Sequence, residues 1–236
     1  MSDEKYIEIA GTVRAVVFRN EENGYAVVRV AVDGDVVIAV GCLPEIYPGE
    51  DVILRGEWTS HPSYGRQFKI DSALRSMPTS PDGIFDYLSA GVIRGIGEKT
   101  AGVIVDTFGV RTLDAMQSAA ELTKIKGLSP RKAKDVADQF RRHMALRSLI
   151  EFLVTNGVRP FAAAHLYEVY GQRARQEVEL NPYILTDEYF GVDFFEADAF
   201  ALNLGFEEDS PERIEAAVLF ELRHNLGNGH TCLPRD

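Results

Sequence analysis

Positive charge is scarce in this 236-residue chain: 25 Lys and Arg stand against 36 Asp and Glu, a net charge of −11. Taken whole, that balance argues against a broad polyanion-binding surface, which needs positive charge where it meets phosphate. Cysteine is scarcer still. Cys42 and Cys232 are the only two, too few for a disulfide framework. Cys232 with nearby His230 falls short of a zinc site, so no metal ligands are expected. Both thiols are expected to be reduced, in a cytoplasmic protein. No run approaches the roughly 18 apolar residues of a membrane span, and the polar start Met1-Ser2-Asp3-Glu4-Lys5 is no secretory leader. No membrane partner is expected. A nucleotide-binding loop is missing too. The nearest approach, Gly95-Ile96-Gly97-Glu98-Lys99-Thr100, sets Glu98 between the glycine and the lysine that a P-loop keeps adjacent, and no apolar strand precedes it. No nucleophile or carboxylate constellation reads as catalytic; Asp193, Glu196 and Asp198 fit a solvated helix start.

What is present begins with strands. Alternating apolar positions recur in Ile7–Val17, Tyr25–Val30, Val36–Val40, Asp51–Trp58 and Phe68–Leu74, separated by Asn23-Gly24, Asp33-Gly34 and Pro48-Gly49. These dipeptides are turn formers. Five short strands close most economically into a small barrel, which leaves no long edge. The expectation is an OB-like barrel over 1–77, with an SH3-like barrel as the alternative. Small barrels of this kind often stack bases on aromatics, and His61, Tyr64, Arg66 and Phe68 are candidates for such a single-strand platform, or for packing against the helices. Met77-Pro78-Thr79-Ser80-Pro81-Asp82-Gly83 reads as a linker. Beyond it the period is helical, so the fold class is α+β and multidomain, an OB-like barrel followed by an all-α region.

The helical part repeats. Gly95-Ile96 with Ala101, Gly127-Leu128 with Ala133, Gly157-Val158 with Ala163 and Gly191-Val192 with Ala197 share one pattern: Gly, an aliphatic, four residues, Ala. A glycine allows a sharp turn between helices. The aliphatic plugs the turn, and the alanine permits close packing in the second helix. This describes a helix-hairpin-helix unit, whose free N–H groups and helix dipole suit a phosphate. The charge is distributed to match. Residues 1–77 hold 8 basic and 12 acidic residues, 78–145 hold 10 and 8, and 146–236 hold 7 and 16. Hairpins one and two are therefore the candidate DNA contacts, through Gly95, Gly97, Lys99, Thr100, Lys126, Gly127, Ser129, Arg131 and Lys132. Hairpins three and four carry Phe161, Ala162, Phe194 and Phe195 instead and are expected to pack. The domain expectation is 1–77 barrel, 78–145 tandem hairpins, and 146–236 a helical domain with two degenerate repeats.

The ordered set of these features resembles the N-terminal region of the RecD-like family of bacterial ATP-dependent DNA helicases. The resemblance rests on Asn23-Gly24-Tyr25, on Gly56-Glu57-Trp58 with His61-Pro62-Ser63-Tyr64-Gly65-Arg66-Gln67-Phe68, and on both basic hairpins. Asn181-Pro182-Tyr183 and Gly229-His230-Thr231-Cys232-Leu233-Pro234 complete it. Cys232 departs from the family's pattern where an aromatic is expected, as does Ser129 where the stronger hairpin has Gly. The resemblance implies that two RecA-like motor domains follow Asp236, and that ATP and Mg belong to them and not to these residues. It implies 5′→3′ translocation for the whole protein, and sequence-independent binding of single-stranded or forked DNA, with the motor as intramolecular partner. A protein-interaction scaffold and a helix-hairpin-helix subunit of a repair nuclease remain the alternatives.

Overall fold

A computed structural model describes residues 7–20, 22–227 and 229. The stretch 230–234, with His230 and Cys232, lies outside the described residues. The chain divides into two compact units, Met1–Ala145 and Leu146–Asp236.

Unit one opens with five strands: β1 (Ile7–Arg19), β2 (Tyr25–Val32), β3 (Asp35–Cys42), β4 (Asp51–His61) and β5 (Gly65–Ser76). They form a closed barrel in the order β1-β2-β3-β5-β4. Closure depends on β1, which pairs with β4 over Ile7–Thr12 and with β2 over Thr12–Arg19. Two bulges, at Val13/Ala15 and Val16/Phe18, bend the strand between its two partners. The other seam is a short parallel pairing of β3 with β5, Ala39 with Phe68 and Val40 with Lys69. That topology is OB-like, as the turn spacing predicts. The β2–β3 connection is the two-residue turn Asp33-Gly34, with φ of 50° and 92°, the primed geometry that matches strand twist. Val13, Val28, Val30, Leu54 and Phe68 fill the barrel, and Leu43 and Ile46 from the β3–β4 connection join the same core.

The linker expected over 77–83 is shorter than its composition suggests. Pro81 begins helix α1 (Pro81–Ser89), with Ser80 as cap accepting from the Gly83 N–H at 3.1 Å. A proline at the first helical position loses no hydrogen bond, so Ser-Pro starts this helix instead of extending the linker. There follow α2 (Glu98–Phe108), α3 (Thr112–Met116), α4 (Ala119–Leu122) and α5 (Pro130–Thr155), whose residues from Leu146 on belong to unit two. Ile84, Tyr87, Leu88, Ala101, Ile104, Phe108, Val136 and Phe140 make one core, spaced at the three- and four-residue intervals of buried helix faces.

The barrel is fastened to these helices within unit one. Tyr47 meets the edge of Tyr87 with ring centroids 5.7 Å apart, and the Tyr87 hydroxyl lies 2.7 Å from His143 Nε2. A Cβ on Gly49 would stand 2.0 Å from the Gly83 carbonyl oxygen, so the β3–β4 connection and α1 touch backbone to backbone. Beside this junction Arg75 and Glu50 form an ion pair at 3.1 Å, with side chains 7% and 0% exposed. Arg75 also donates to the Pro44 and Glu45 carbonyls at 2.5 and 2.8 Å.

Unit two contains α6 (Phe161–Tyr170), α7 (Ala174–Leu180), a 3-10 turn at Pro182–Thr186, α8 (Phe194–Asn203) and α9 (Pro211–Gly227). Its core gathers Leu149, Leu153, Val158, Ala163, Leu166, Val178, Val192, Ala197 and Phe200.

Candidate nucleic-acid interface

All four repeats form the same turn. Gly95, Gly127, Gly157 and Gly191 have φ of 87°, 93°, 87° and 64°, a region open to glycine and strained for other residues. The aliphatic after each glycine is buried: Ile96, Leu128, Val158 and Val192. The alanines Ala101, Ala133, Ala163 and Ala197 are all fully enclosed. Hairpins one and two share the core of unit one, and hairpins three and four share that of unit two. A longer repeat underlies the short one. Gly109 and Gly171 both leave the preceding helix with φ near 57° (56° and 58°) and ψ of −131°, each into a 3-10 turn ending in arginine. The two tandems are thus copies of each other, a relation hidden because only Gly and Arg survive between Gly109-Val110-Arg111 and Gly171-Gln172-Arg173.

The tandems differ in what occupies the hairpin N–H groups. In hairpin one, Gly97 caps α2 in extended conformation, and no side chain bonds to the helix start. The first-turn N–H groups of α2 are therefore open to a ligand. Gly95, Gly97 and Lys99 are exposed and Thr100 half-buried. Hairpin two is partly closed: the Ser129 hydroxyl accepts from the Lys132 N–H at 3.3 Å, so one donor is already used. Lys126, Gly127, Ser129, Arg131 and Lys132 are all exposed. The two hairpins adjoin. Lys132 Cε lies 3.8 Å from where a Cβ on Gly95 would stand, and the Arg94 N–H donates to Gln139 Oε1 on α5 at 3.2 Å. Lys132 of the second hairpin thus lies over the turn of the first.

In unit two a carboxylate takes the place a phosphate would need. Glu196 Oε1 accepts from the Arg159 N–H at 2.8 Å, and Oε2 accepts from Arg159 Nε at 2.9 Å. The Glu196 side chain is only 15% exposed. Hairpin four is closed by Asp193, whose side chain accepts from the Glu196 N–H at 2.9 Å. Asp198 receives Arg213 Nε at 2.7 Å and the Tyr183 hydroxyl at 2.8 Å. The reading of Glu196 and Asp198 as solvated helix-start acids is therefore corrected: both are internal acceptors. Their partners lie 37 and 15 residues away, beyond any local pattern. The Arg213 hydrogen bond holds the Asp198 carboxyl below its usual range despite opposing desolvation. Burial, then the bond to Asp198, pushes Tyr183 up to about 12.

The stacking candidates on the barrel separate. Phe68 points inward, is fully buried, and meets the edge of Trp58 at 5.3 Å, so it offers no face to a base. Its parallel pairing with Ala39 fixes that inward side. Arg66 lies over the Trp58 ring at 4.0 Å. His61 and Tyr64 do come together, with centroids 4.7 Å apart and Tyr64 70% exposed. They line a groove of about 420 Å³ together with Phe18 and Tyr25, two aromatics the sequence reading missed. The outward position of Tyr25 in the alternation of β2 is a signal that could have found it; Phe18 sits at a register shift in β1, beside the equally exposed Val17.

No nucleotide site suits hairpin one: α1 precedes its turn instead of a strand, and Lys99 is two residues from Gly97. Among the described residues no cluster of His, Cys, Asp or Glu is placed to hold a metal, and no helix is long and apolar enough to cross a membrane. Cys42 is an exposed free thiol.

A closed barrel followed by two tandems of helical hairpins defines a barrel-plus-helix-hairpin-helix protein. Comparison with family profiles agrees segment by segment. Residues 6–78 match the OB-fold domain of the ATP-dependent DNA helicase YrrC, 85–142 match a SAM-like helix-hairpin-helix tandem, and 142–232 match the helix-hairpin-helix domain of the ATP-dependent RecD2 DNA helicase. Together the three matched domains correspond to the N-terminal region of RecD-like DNA helicases.

Proposed function

We propose that this region grips the DNA phosphate backbone for a RecD-like helicase, through hairpins one and two, without reading sequence. The uncapped start of α2, with exposed Lys99 in its first turn and Lys132 over the preceding Gly95, carries the reading, and exposed Lys126 and Arg131 of hairpin two add positive charge. Backbone N–H groups and lysines recognise phosphate and ignore bases, so such contacts position a strand and do not select it. Single-stranded or forked DNA is the proposed ligand, in keeping with a helicase that loads onto a strand. The ATP- and Mg-dependent motor is the proposed intramolecular partner, in a cytoplasmic protein of DNA repair and recombination. The acidic balance of 146–236, the Glu196 carboxylate on the Arg159 N–H of hairpin three and the Asp193 cap of hairpin four favour a packing role for unit two.

The test is a set of binding isotherms on single-stranded, duplex and forked oligonucleotides of several sequences at fixed salt. The reading expects similar affinity across sequences within each DNA form. A strong dependence on base sequence would contradict it.

A further inference from the structure

We infer that one position, Lys132 in unit one and Glu196 in unit two, decides whether a tandem takes an outside phosphate or closes on itself. The two residues hold the same place in the two copies. Each lies five residues after its hairpin glycine, Gly127 or Gly191. Each gives its N–H to the side chain of the helix cap three residues before it, Lys132 to Ser129 at 3.3 Å and Glu196 to Asp193 at 2.9 Å. Each also reaches the other hairpin of its own tandem. Lys132 Cε stands 3.8 Å from the Cβ position of Gly95, and Glu196 Oε1 accepts from the Arg159 N–H at 2.8 Å. Arg159 follows Gly157 by two residues, as Gly97 follows Gly95. The N–H that Glu196 takes is therefore the counterpart of the Gly97 N–H.

That N–H is filled in one copy and open in the other. Neither α2 nor α6 receives a side-chain bond from its own N-cap residue. In unit two the gap is closed by Glu196, an anion brought from the neighbouring hairpin, with Arg159 Nε at 2.9 Å as its counter-charge. In unit one nothing among the described residues accepts from the Gly97 N–H. A Cβ on Gly97 would meet no atom within 4 Å, so the space before it is open. The residue in the place of the acid is a lysine. The carboxylate of unit two thus marks where an anion sits when the chain does not supply one. It sits against the Gly97 N–H, with Lys132 giving the charge that Arg159 gives in the closed copy. A phosphate oxygen offers the same negative charge and lone pairs as that carboxylate. Two anions repel at one donor, so an acid at this position shuts the site and a base opens it.

This inference rests on the hairpin reading only for the phosphate being that of DNA, and its test separates the two. The whole 236-residue chain is titrated with inorganic phosphate while the Gly97 and Arg159 amide resonances are followed. It is then titrated with a labelled single strand over a salt series. Phosphate is expected to move the wild-type Gly97 amide and leave the Arg159 amide in place. Lys132→Glu should abolish the Gly97 response. It should also slow exchange of that amide with water about five-fold, the worth of one hydrogen bond, because its carboxylate closes hairpin one as Glu196 closes hairpin three. Lys132→Ala should weaken the response without slowing exchange, which distinguishes closure from mere loss of charge. Glu196→Lys should make the Arg159 amide follow phosphate and steepen the salt slope by about 0.7, one added phosphate contact. Lys132 is exposed, so Lys132→Glu folds and decides the matter even where Glu196→Lys does not fold. A wild-type Gly97 amide that ignores phosphate, or one that still follows it in Lys132→Glu, overturns the switch. A switch that works on phosphate while single-strand affinity ignores Lys132→Glu supports the switch and overturns the hairpin grip. Single-strand binding that falls in Lys99→Ala with Arg131→Ala while the Gly97 amide ignores phosphate does the reverse.

Discussion

Arg159→Ala separates hairpins that are closed from hairpins that bind. Three contacts disappear with the side chain: the 2.9 Å bond to Glu196, a 3.3 Å bond to the Gly191 carbonyl, and the guanidinium over Phe161 at 5.1 Å. Arg159 is half exposed, which discounts the ion pair toward the few tenths of a surface bridge. Glu196 is mostly buried, and it loses the Arg159 guanidinium while keeping the Arg159 N–H. Stranding a mostly buried carboxylate costs more than the pair itself is worth. Between these limits the expected loss is about 1–2 kcal/mol, read as a lower midpoint in urea by circular dichroism. DNA affinity and its salt dependence should not change, because hairpin three already holds an internal carboxylate. If Arg159→Ala weakened DNA binding as much as a hairpin-one lysine, unit two would be part of the grip and the closed-hairpin argument would be wrong.

Gly49→Ala should destabilise the chain by about 2–4 kcal/mol, a backbone-strain and overpacking cost, since its Cβ meets the Gly83 carbonyl at 2.0 Å and φ is +88°; denaturant melts followed through Trp58 check it, and an unchanged midpoint would refute the junction. Stability should also fall at both pH extremes. Asp198 is lowered in the fold, so its contribution is present above the ordinary carboxyl range and is lost as acid protonates it. Tyr183 and Tyr47 are raised to about 12, so their contribution is present below their ordinary value of 10 and is lost as pH climbs from there through about 12. Tyr183→Phe should flatten the alkaline limb by the share of one tyrosine, and a limb of unchanged slope would remove that assignment.

Much of this was legible in the sequence because it is local. Asn-Gly, Asp-Gly and Pro-Gly mark strand ends whose alternation needs no partner to be seen. The hairpin pattern is legible for the same reason: glycine, aliphatic and alanine each answer a demand of one turn. What escaped is set by distant contacts. Glu196 looks like an exposed acid until Arg159 is brought to it across 37 residues. Phe68 looks like a neighbour of Tyr64 until pairing with β3 turns it inward. Phe18 and Tyr25 look like ordinary strand residues until the β4–β5 hairpin brings His61 and Tyr64 to the same groove. Pro81 reads as a linker residue because its role depends on the Ser80 side chain reaching Gly83.

The grip itself is tested by salt. Each phosphate neutralised on a single strand contributes about −0.7 to the slope of log affinity against log salt. Lys99→Ala with Arg131→Ala removes two exposed cations from the two hairpins, so the slope should flatten by roughly 1 to 1.5 units, with affinity lowered alike on every sequence. If wild type and double variant give coincident slopes, hairpins one and two do not touch phosphate, and the tandem in unit one is a structural bundle only.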